Sequence, residues 1–465
     1  MRLLLHALLI SAVVLLVIGS PAVGADLPDR PLTLEECIAL AYQHNPSLVI
    51  AQQQVVSAEA GVGRALSSYY PSASFIATQG RTAGSSFVET PGGTVAFTAT
   101  GRRREAEVVL SQTVWQTARG DSVSQARHSF GAALADQQAT GQDLVLSVSQ
   151  LYYSALAAEQ LVEVAEANLT AARDHEKLAK ARAEVGAAPP VDVVPAEADV
   201  ADAEFSLLQA QNNADVAKAQ LKREIGLPPT YRVQLSRPGI QDLDQPRPAL
   251  DEALGTALAR RPEVTAMRAS VAAAEDSLRI ARAMRGPLFT FSAQYDRGLQ
   301  GPQEGTSWAA ILSADVPLFD AGARTSEVIS ARAGLRSQQA QEQQLANSIG
   351  TEVETALLNV DTARQSVRAA EKAVTSAQAQ LAAAEGKYRG GVGIFVEILD
   401  AQKAVARART NHVQAIYDYQ SALVSLRRAT GELTLPAPEE QALHTAGPSG
   451  PRGVLSGSPR GGQAP

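Results

Sequence analysis

Two carboxylates stand close together near the C-terminal end of the sequence, where a helical pattern restarts. The stretch KYRGGVGIFVEILDAQK, residues 387–403, has three glycines followed by Glu397 and Asp400. Residues at i and i+3 share one face of an α-helix, so these carboxylates are predicted to lie side by side. A simpler alternative is that they only stabilise the N-terminus of their helix through its dipole.

No other group of residues predicts chemistry. The histidines are scattered, and no pair has metal-ligand spacing on one element. Residues 61–66, GVGRAL, belong to a helical pattern rather than to a dinucleotide-binding loop, and no phosphate loop or nucleophile elbow is present. The basic run at residues 101–105, GRRRE, is interpreted as a solvated loop near charged lipid head groups. We therefore predict no enzyme, no cofactor and no metal site, and an exported hydrolase lacks any supporting constellation.

The N-terminus predicts export. Residues 1–25 combine one arginine, an apolar run and a small-residue end, which is typical of a secretory signal; a retained membrane anchor is the alternative. No other stretch is apolar and long enough for a transmembrane helix. The net charge of −7 over 465 residues argues against a nucleic-acid partner.

The single cysteine, Cys37, excludes an intrachain disulfide. It lies in an amphipathic helical start, where a small buried apolar role is favoured. It also lacks the small-residue lead-in of a lipoprotein site, so no lipid anchor is predicted.

The elements that position the acidic pair belong to a duplicated chain. Pro46 matches Pro262 at an offset of 216 residues, whereas Gly186 matches Gly391 at an offset of 205. We expect a first repeat over 26–249 that ends in a Pro-rich linker, and a second repeat over 250–432 with a loop about eleven residues shorter. The tail, 433–465, is rich in Pro, Gly and Ser and is predicted to be disordered.

Each repeat has the same order of predicted elements. Two helices (34–45 and 47–69; 250–261 and 263–285) precede a pair of strands joined by a Gly/Thr/Ser-rich turn. The strands show a period of two, as in PLFTFSAQY and EVVLSQTVW. Long heptad patterns follow, which predict helices of about 100 Å, and after a Gly/Pro break a second helix returns (191–225; 396–430).

Four strands are too few to close a barrel, and open strand edges cannot face lipid. If the strands enter a membrane, the chain must therefore form an oligomer. Three chains would supply twelve strands, which is wide enough for a passage. The alternative is a small soluble sheet that caps the helices.

The duplicated order of helices and strands resembles the TolC-type outer-membrane efflux proteins. The matching segments are LTLEECIALAYQHNPSL with its repeat, LSQTVW, VPLFDAGAR and GGVGIFVEILDAQ. The resemblance covers roughly residues 32–432. It implies a mainly α protein with a membrane β-barrel contribution: a long coiled-coil α-helical barrel, plus four β-strands per chain that complete a twelve-stranded barrel in a homotrimer.

The resemblance also implies a function and partners. The protein is expected in the outer membrane of a Gram-negative bacterium, in contact with lipid and extending into the periplasm. There it would be the passive exit duct of a tripartite efflux or type I secretion system, with a periplasmic adaptor and an inner-membrane transporter as partners. A periplasmic coiled-coil adaptor or scaffold without a channel is the alternative, but adaptors carry a single helical hairpin. The exported substrate cannot be read from the sequence.

The resemblance assigns roles at the two helix turns. Glu397 and Asp400 match the acids that narrow the periplasmic end of the pore, where a trimer would stack them as rings of three. Asp192 and Tyr388 match positions that link the two coiled coils and hold the tip closed. Gly393 stands where some members have a basic linking residue, so the resemblance does not decide whether the latch is complete in this sequence.

Two short segments match the tips that meet the adaptor. They are Val185, Gly186 and Ala187 in the first repeat, and Gly391, Val392 and Gly393 in the second. Glycine also ends helices well, and both roles are compatible. The repeat alignment places Asp192 opposite Glu397 but Pro195 opposite Asp400, so only the second repeat has the acidic pair.

Overall fold

The computed structural model describes residues 30–434 except 92, 188, 238, 240–242, 244–247 and 299–304. The predicted signal and almost all of the predicted disordered tail lie outside the described residues. In the first half the elements are α1 (Leu34–His44), α2 (Pro46–Ser67), β1 (Ser72–Thr90), β2 (Gly93–Gln116), α3 (Arg119–Glu184), a short 3₁₀ turn (Pro190–Asp192) and α4 (Val193–Glu224). In the second half they are α5 (Leu250–Arg260), α6 (Pro262–Ala283), β3 (Leu288–Gly298), β4 (Gly305–Asp315), α7 (Ala323–Arg389) and α8 (Phe395–Ala429).

Local sequence sets the starts of the first helices. The Thr33 hydroxyl accepts from the Glu36 backbone N–H, and Glu36 accepts from the Thr33 backbone N–H, which forms a capping box at α1. Asn45 caps α2 by accepting from the Ser47 backbone N–H, and Pro46 occupies the first helical position. The proline that ends α1 therefore also begins α2, as the sequence pattern predicts.

The helical body is organised around α3. This helix of 66 residues is about 100 Å long, and it packs against α2, α4, α6 and α8, while α7 packs against α6 and α8. Leu144, Val148 and Ala155 belong to the heptad pattern of this helix, and all three are buried. The many Val and Ala side chains at the heptad positions allow close approach of the helices and extensive van der Waals contact. None of the described helices has the length and apolar character needed to cross a membrane.

The four strands form one antiparallel sheet in the order β1-β2-β3-β4. β1 and β2 have 19 and 24 residues, whereas β3 and β4 have 11 each. The prediction of a Gly/Thr/Ser-rich turn and of a basic loop at 101–105 is wrong for the first hairpin, because β1 and β2 stay paired up to Thr90 and Gly93. The extra length of the first repeat therefore lies in paired strand rather than in a loop, since threonines and interspersed Val and Phe favour extended backbone despite the glycines.

Both repeats end their returning helix in the same way. Gly226 and Gly431 have φ of +74° and +71° and follow α4 and α8 at an offset of 205. A Cβ on Gly226 would lie 2.7 Å from the Cβ of His44, and one on Gly431 would lie 3.1 Å from the Cβ of Arg260. Glycine is needed here both for the left-handed conformation and for the close approach of a neighbouring helix end.

An ionic network joins four helices beside Gly431. Arg428 of α8 donates from Nε to Asp143 Oδ1 of α3 at 2.8 Å and also binds Glu263 of α6. Arg261 bridges Glu263 at 3.2 Å and Glu352 of α7 at 2.5 Å. Burial opposes ionisation of Glu263, but the hydrogen bonds from both arginines outweigh it and lower its pKa from 4.5 to about 2. The network therefore stabilises the junction only while Glu263 is ionised.

Candidate functional site at the paired helix turns

The two long helices end in turns of identical construction. Gly186 and Gly391 have φ of +71° and +76°. In the first turn the Ala187 N–H donates to the Arg182 carbonyl at 2.8 Å, and in the second the Val392 N–H donates to the Lys387 carbonyl at 3.1 Å. This pattern is a Schellman motif, in which glycine accepts the left-handed conformation that other residues avoid.

The turns place apolar side chains in solvent. Val185 is 78% exposed and Val392 is 83% exposed, and Ala187 and Gly391 are also exposed. These residues form the exposed end surface of the two hairpins. The docking role that the sequence assigns to them stays a prediction.

Gly393 has no room for a side chain. A Cβ at this position would lie 2.9 Å from the Cβ of Lys387 and 3.0 Å from the backbone nitrogen of Tyr388. Its N–H donates to the Lys387 carbonyl at 3.1 Å. The glycine therefore lets the chain fold back tightly against the end of α7, and this geometry leaves no place for a basic linking residue.

An apolar cluster joins the two hairpins directly behind the turns. Tyr388 of α7 and Phe395 of α8 are both buried, with ring centroids 5.5 Å apart. Ala179 of α3 and Ala196 of α4 complete the contact from the first hairpin. Each of the four helices thus contributes to one cluster, so that movement of one hairpin away from the other would expose it to water.

Arg182 adds a polar link between the hairpins that sequence reasoning missed. Its Nη1 donates to the backbone carbonyl of Tyr388 at 2.6 Å, and its guanidinium lies over the Tyr388 ring at 4.7 Å from the centroid. The only sequence signal was an arginine one helical turn before Gly186, and the repeat places Lys387 at the matching position. Stacking on an aromatic ring suits the planar guanidinium and does not suit lysine equally.

The predicted pair of Tyr388 and Asp192 lies together, but without a hydrogen bond. The Tyr388 hydroxyl is buried and has no hydrogen-bond partner among the described residues. Burial raises its pKa, the nearby Asp192 charge raises it further, and Arg182 opposes the change. Asp192 ends the short 3₁₀ turn and makes no side-chain capping bond to α4. The two residues are close enough to interact electrostatically, and their latch role stays a prediction.

Glu397 and Asp400 lie in the first turns of α8, as the sequence predicts. Both are exposed, whereas the neighbouring Phe395, Ile398 and Leu399 are buried in the tip cluster. Among the described residues neither carboxylate has a hydrogen bond or an ion-pair partner. The pair therefore faces away from the chain's own core, which leaves both charges available to a neighbouring chain or to solvent.

A polar layer lies one to two turns behind the tip cluster. His175 of α3 is buried, and Nε2 has no partner in the described part of the chain. Asp199 of α4 is also buried, and Lys403 of α8 approaches it at 3.7 Å. Burial raises the pKa of Asp199, and the charge of Lys403 opposes that change. No cluster of three or more potential metal ligands occurs among the described residues.

Two long helical hairpins that meet at one end, with a small antiparallel sheet at the other, define a class of protein that spans a large distance. Comparison with known proteins identifies that class. The chain belongs to the family described as outer membrane efflux protein, whose model matches residues 37–227 and 253–432.

Individual relatives agree with this assignment. The chain is 30% identical to Protein CyaE of Bordetella pertussis over 434 aligned residues, and the alignment covers 89% of this chain and 88% of the relative. It is 26% identical to Outer membrane protein TolC of Vibrio cholerae over 344 aligned residues, and this alignment covers 71% of this chain and 77% of the relative. The fold matches the crystal structure of the Campylobacter jejuni CmeC outer membrane channel with a TM-score of 0.74 at 18% identity, over 86% of this chain and 85% of that one.

The resemblance seen in the sequence is therefore confirmed. The protein is an outer-membrane channel component of an efflux or secretion system, and it extends into the periplasm. Its family is one of channel proteins rather than enzymes. This membership decides against the alternative of a coiled-coil adaptor or scaffold without a channel.

Proposed function

We propose that three copies of this chain form a passive duct that is closed at its periplasmic end by the paired helix turns. The observation that carries the proposal is the shared tip cluster, in which both hairpins of one chain end together behind two identical Schellman turns. Three such pairs around one axis would surround the end of a tunnel. The duct performs no catalysis, and the two repeats, 26–249 and 250–432, are its building units.

The sheet supports the trimer. β1 and β4 are its outer strands, so one chain leaves two edges unpaired. A sheet edge facing lipid would leave several backbone groups without hydrogen bonds, each at a cost of several kcal/mol. Pairing β1 of one chain with β4 of the next removes every edge, and three chains would close a barrel of twelve strands that contacts outer-membrane lipid.

Glu397 and Asp400 act as the gate in this proposal. Both side chains are exposed on the face of α8 that does not pack against the chain's own helices. In a trimer, this face can therefore point towards the axis. Three chains would bring six carboxylates to one narrow passage, which attracts cations and opposes anions. Asp192 and Tyr388 hold the hairpins in register beside the gate, and the exposed turns with Val185 and Val392 contact the adaptor.

Single-channel recording in planar lipid bilayers tests the proposal. Wild-type protein should give small conductance steps that multivalent cations block from the periplasmic side. Replacing both gate acids, Glu397→Ala with Asp400→Ala, should raise the conductance and weaken the cation block, because the constriction loses its charge.

A matched control removes two acids from the helical body, Glu371→Ala with Asp418→Ala, and should leave the block nearly unchanged. Absence of any pores from folded wild-type protein would reject the duct. Normal pores with unchanged cation block in the gate variant would reject only the gate.

A further inference from the structure

The sheet has one apolar and one polar face. Cross-strand partners share a face, and one row joins Phe75, Val108, Tyr295 and Trp308 in register. Rows on either side of it, two residues away, contain Ala77 with Ala106 and Ala73 with Leu110. The other face carries mainly Ser, Thr, Gln and acidic residues. In an outer-membrane barrel the apolar face contacts lipid and the polar face lines the lumen.

Three arginines continue the apolar face towards the hairpin tips. Arg297 pairs with Ala106, one row beyond the aromatic row. Arg104 pairs with Gln79 in the next row, and Arg81 of β1 lies in the row after that. All three positions have the parity of the lipid-facing residues, because residues two apart on a strand point to the same side. We call these three positions the arginine girdle.

The nearby acids lie on the opposite face. Glu107 pairs with Asp296, and Glu105 pairs with Gly298, in rows that alternate with those of the arginine girdle. At this end of the sheet, the girdle arginines and these carboxylates thus lie on opposite faces, and the acids are not placed as cross-strand partners of the girdle. Arg81 and Arg297 are exposed, and Arg104 Nε has no hydrogen-bond partner among the described residues.

The girdle lies at the end of the sheet away from the helical body. The helices join the strands at Ser72, Gln116, Leu288 and Asp315, which is the other end. Because the helical body extends into the periplasm, the girdle lies at the outer surface of the membrane. Successive rows of one face are about 7 Å apart along a strand, so the arginines start directly above the aromatic row, which sits at the depth of an interfacial aromatic belt.

We propose that the arginine girdle is a binding site for the phosphate groups of outer-leaflet lipids. Guanidinium groups bind phosphate through two parallel hydrogen bonds, which an ammonium group cannot reproduce. The girdle faces lipid, borders the apolar band and has no carboxylates on its own face at that level, so a lipid phosphate is the anion that can reach it. Such contacts fix the depth at which the barrel sits in the membrane.

Native mass spectrometry of the purified full-length channel tests the site with defined probes. The channel in detergent is titrated with bis-phosphorylated lipid A, with the same lipid after enzymatic removal of its phosphates, and with inorganic phosphate as competitor. The phosphorylated lipid should bind at least about tenfold more tightly than the dephosphorylated one, since each arginine near a charged lipid surface contributes about fivefold. Inorganic phosphate at equal concentration should not compete.

Variants locate the site. The threefold change Arg81→Gln, Arg104→Gln and Arg297→Gln should abolish the preference for the phosphorylated lipid. Arg173→Gln is the matched control, because Arg173 lies on α3 in the helical body, away from the sheet, and its loss should leave the preference unchanged.

Channel conductance shows whether each variant folds. If the threefold variant gives no channels, Arg81→Gln and Arg297→Gln alone should each weaken lipid A binding about fivefold. Equal binding of both lipids to wild type, an unchanged preference in the folded girdle variants, or competition by inorganic phosphate would each overturn the proposal.

Discussion

Arg182 connects the two hairpins, and its removal should loosen the closed tip. The guanidinium makes a charge-assisted hydrogen bond to the Tyr388 carbonyl and a cation–π contact with the Tyr388 ring. Arg182→Ala removes both interactions. The carbonyl itself keeps a second donor, because the Gly391 N–H lies 3.0 Å away. The substitution therefore costs the two contacts without leaving a buried acceptor unpaired.

The two contacts set the expected size of the effect. A hydrogen bond to a charged group contributes about 1.5–3 kcal/mol, and a part-buried cation–π pair contributes about 1 kcal/mol. Because Arg182 is only half-buried, we take the lower ends, which give about 2 kcal/mol per chain. At about 1.4 kcal/mol per factor of ten, the open form of the tip should become at least about tenfold more populated.

Hydrogen exchange of the turn amides measures that population directly. Exchange at Gly391, Val392 and Gly393 should accelerate at least about tenfold in Arg182→Ala, because their protection requires the closed turn. Arg173→Ala is the matched control, since Arg173 lies on the same helix and forms an exposed ion pair with Glu204, which is worth little. Unchanged exchange at the three amides, or equal acceleration in the control, would refute the role of Arg182.

Two further predictions concern the ionic network around Glu263 and the glycine that follows α4. Glu263 has a pKa of about 2 in the folded chain, so its contribution to stability is present above about pH 4.5 and is lost as the pH falls through about 2. Glu263→Gln should remove this acid-dependent loss of stability, which amounts to about 2 kcal/mol after solvent screening. Chemical denaturation of wild type and variant at pH 6 and pH 3 measures the loss, and the same loss in both proteins would contradict the prediction. Gly226→Ala should lower the melting temperature, because alanine is strained in the left-handed conformation and its Cβ would contact His44. Gly334→Ala should raise the melting temperature slightly, because nothing lies within 4 Å of the added Cβ and alanine favours the helix. A higher melting temperature for Gly226→Ala than for Gly334→Ala would refute the requirement for glycine at position 226.

The sequence predicted the helices well because their signals are local and repeated. Asn-Pro and Arg-Pro junctions and paired glycines placed the two short helices and the returning helix of each repeat within a few residues of their observed bounds. The β1–β2 hairpin was predicted too short, because glycine and serine between the strands indicate a turn when read one residue at a time. Pairing between β1 and β2 outweighs that preference, and a partner strand cannot be seen in a local pattern.

The tip was predicted in part. Backbone requirements such as Gly186 and Gly391 leave a clear sequence signal, and the positions of Glu397 and Asp400 at a helix start follow from spacing. The contact of Arg182 with Tyr388 joins residues that are 206 positions apart, and nothing near either residue indicates the other. The crowding at Gly393 is equally invisible, because it depends on how closely the chain returns to Lys387.

The recurring glycines have a consequence for how this chain can vary in length. The number of residues between the glycine of the tip turn and the glycine that follows the returning helix is the same in both repeats, since 226 − 186 and 431 − 391 are both 40. An insertion of one residue in a single arm would shift its side chains by 1.5 Å along the axis and by about 100° around it, which would misplace them against every neighbouring helix. An insertion in one long helix must therefore be matched by an insertion in the helix that packs against it. The strand hairpins already differ in length between the repeats, so they can be extended at their tips without this constraint. Differences in length among proteins of this kind are expected to accumulate at the cell surface, and the periplasmic reach should stay constant.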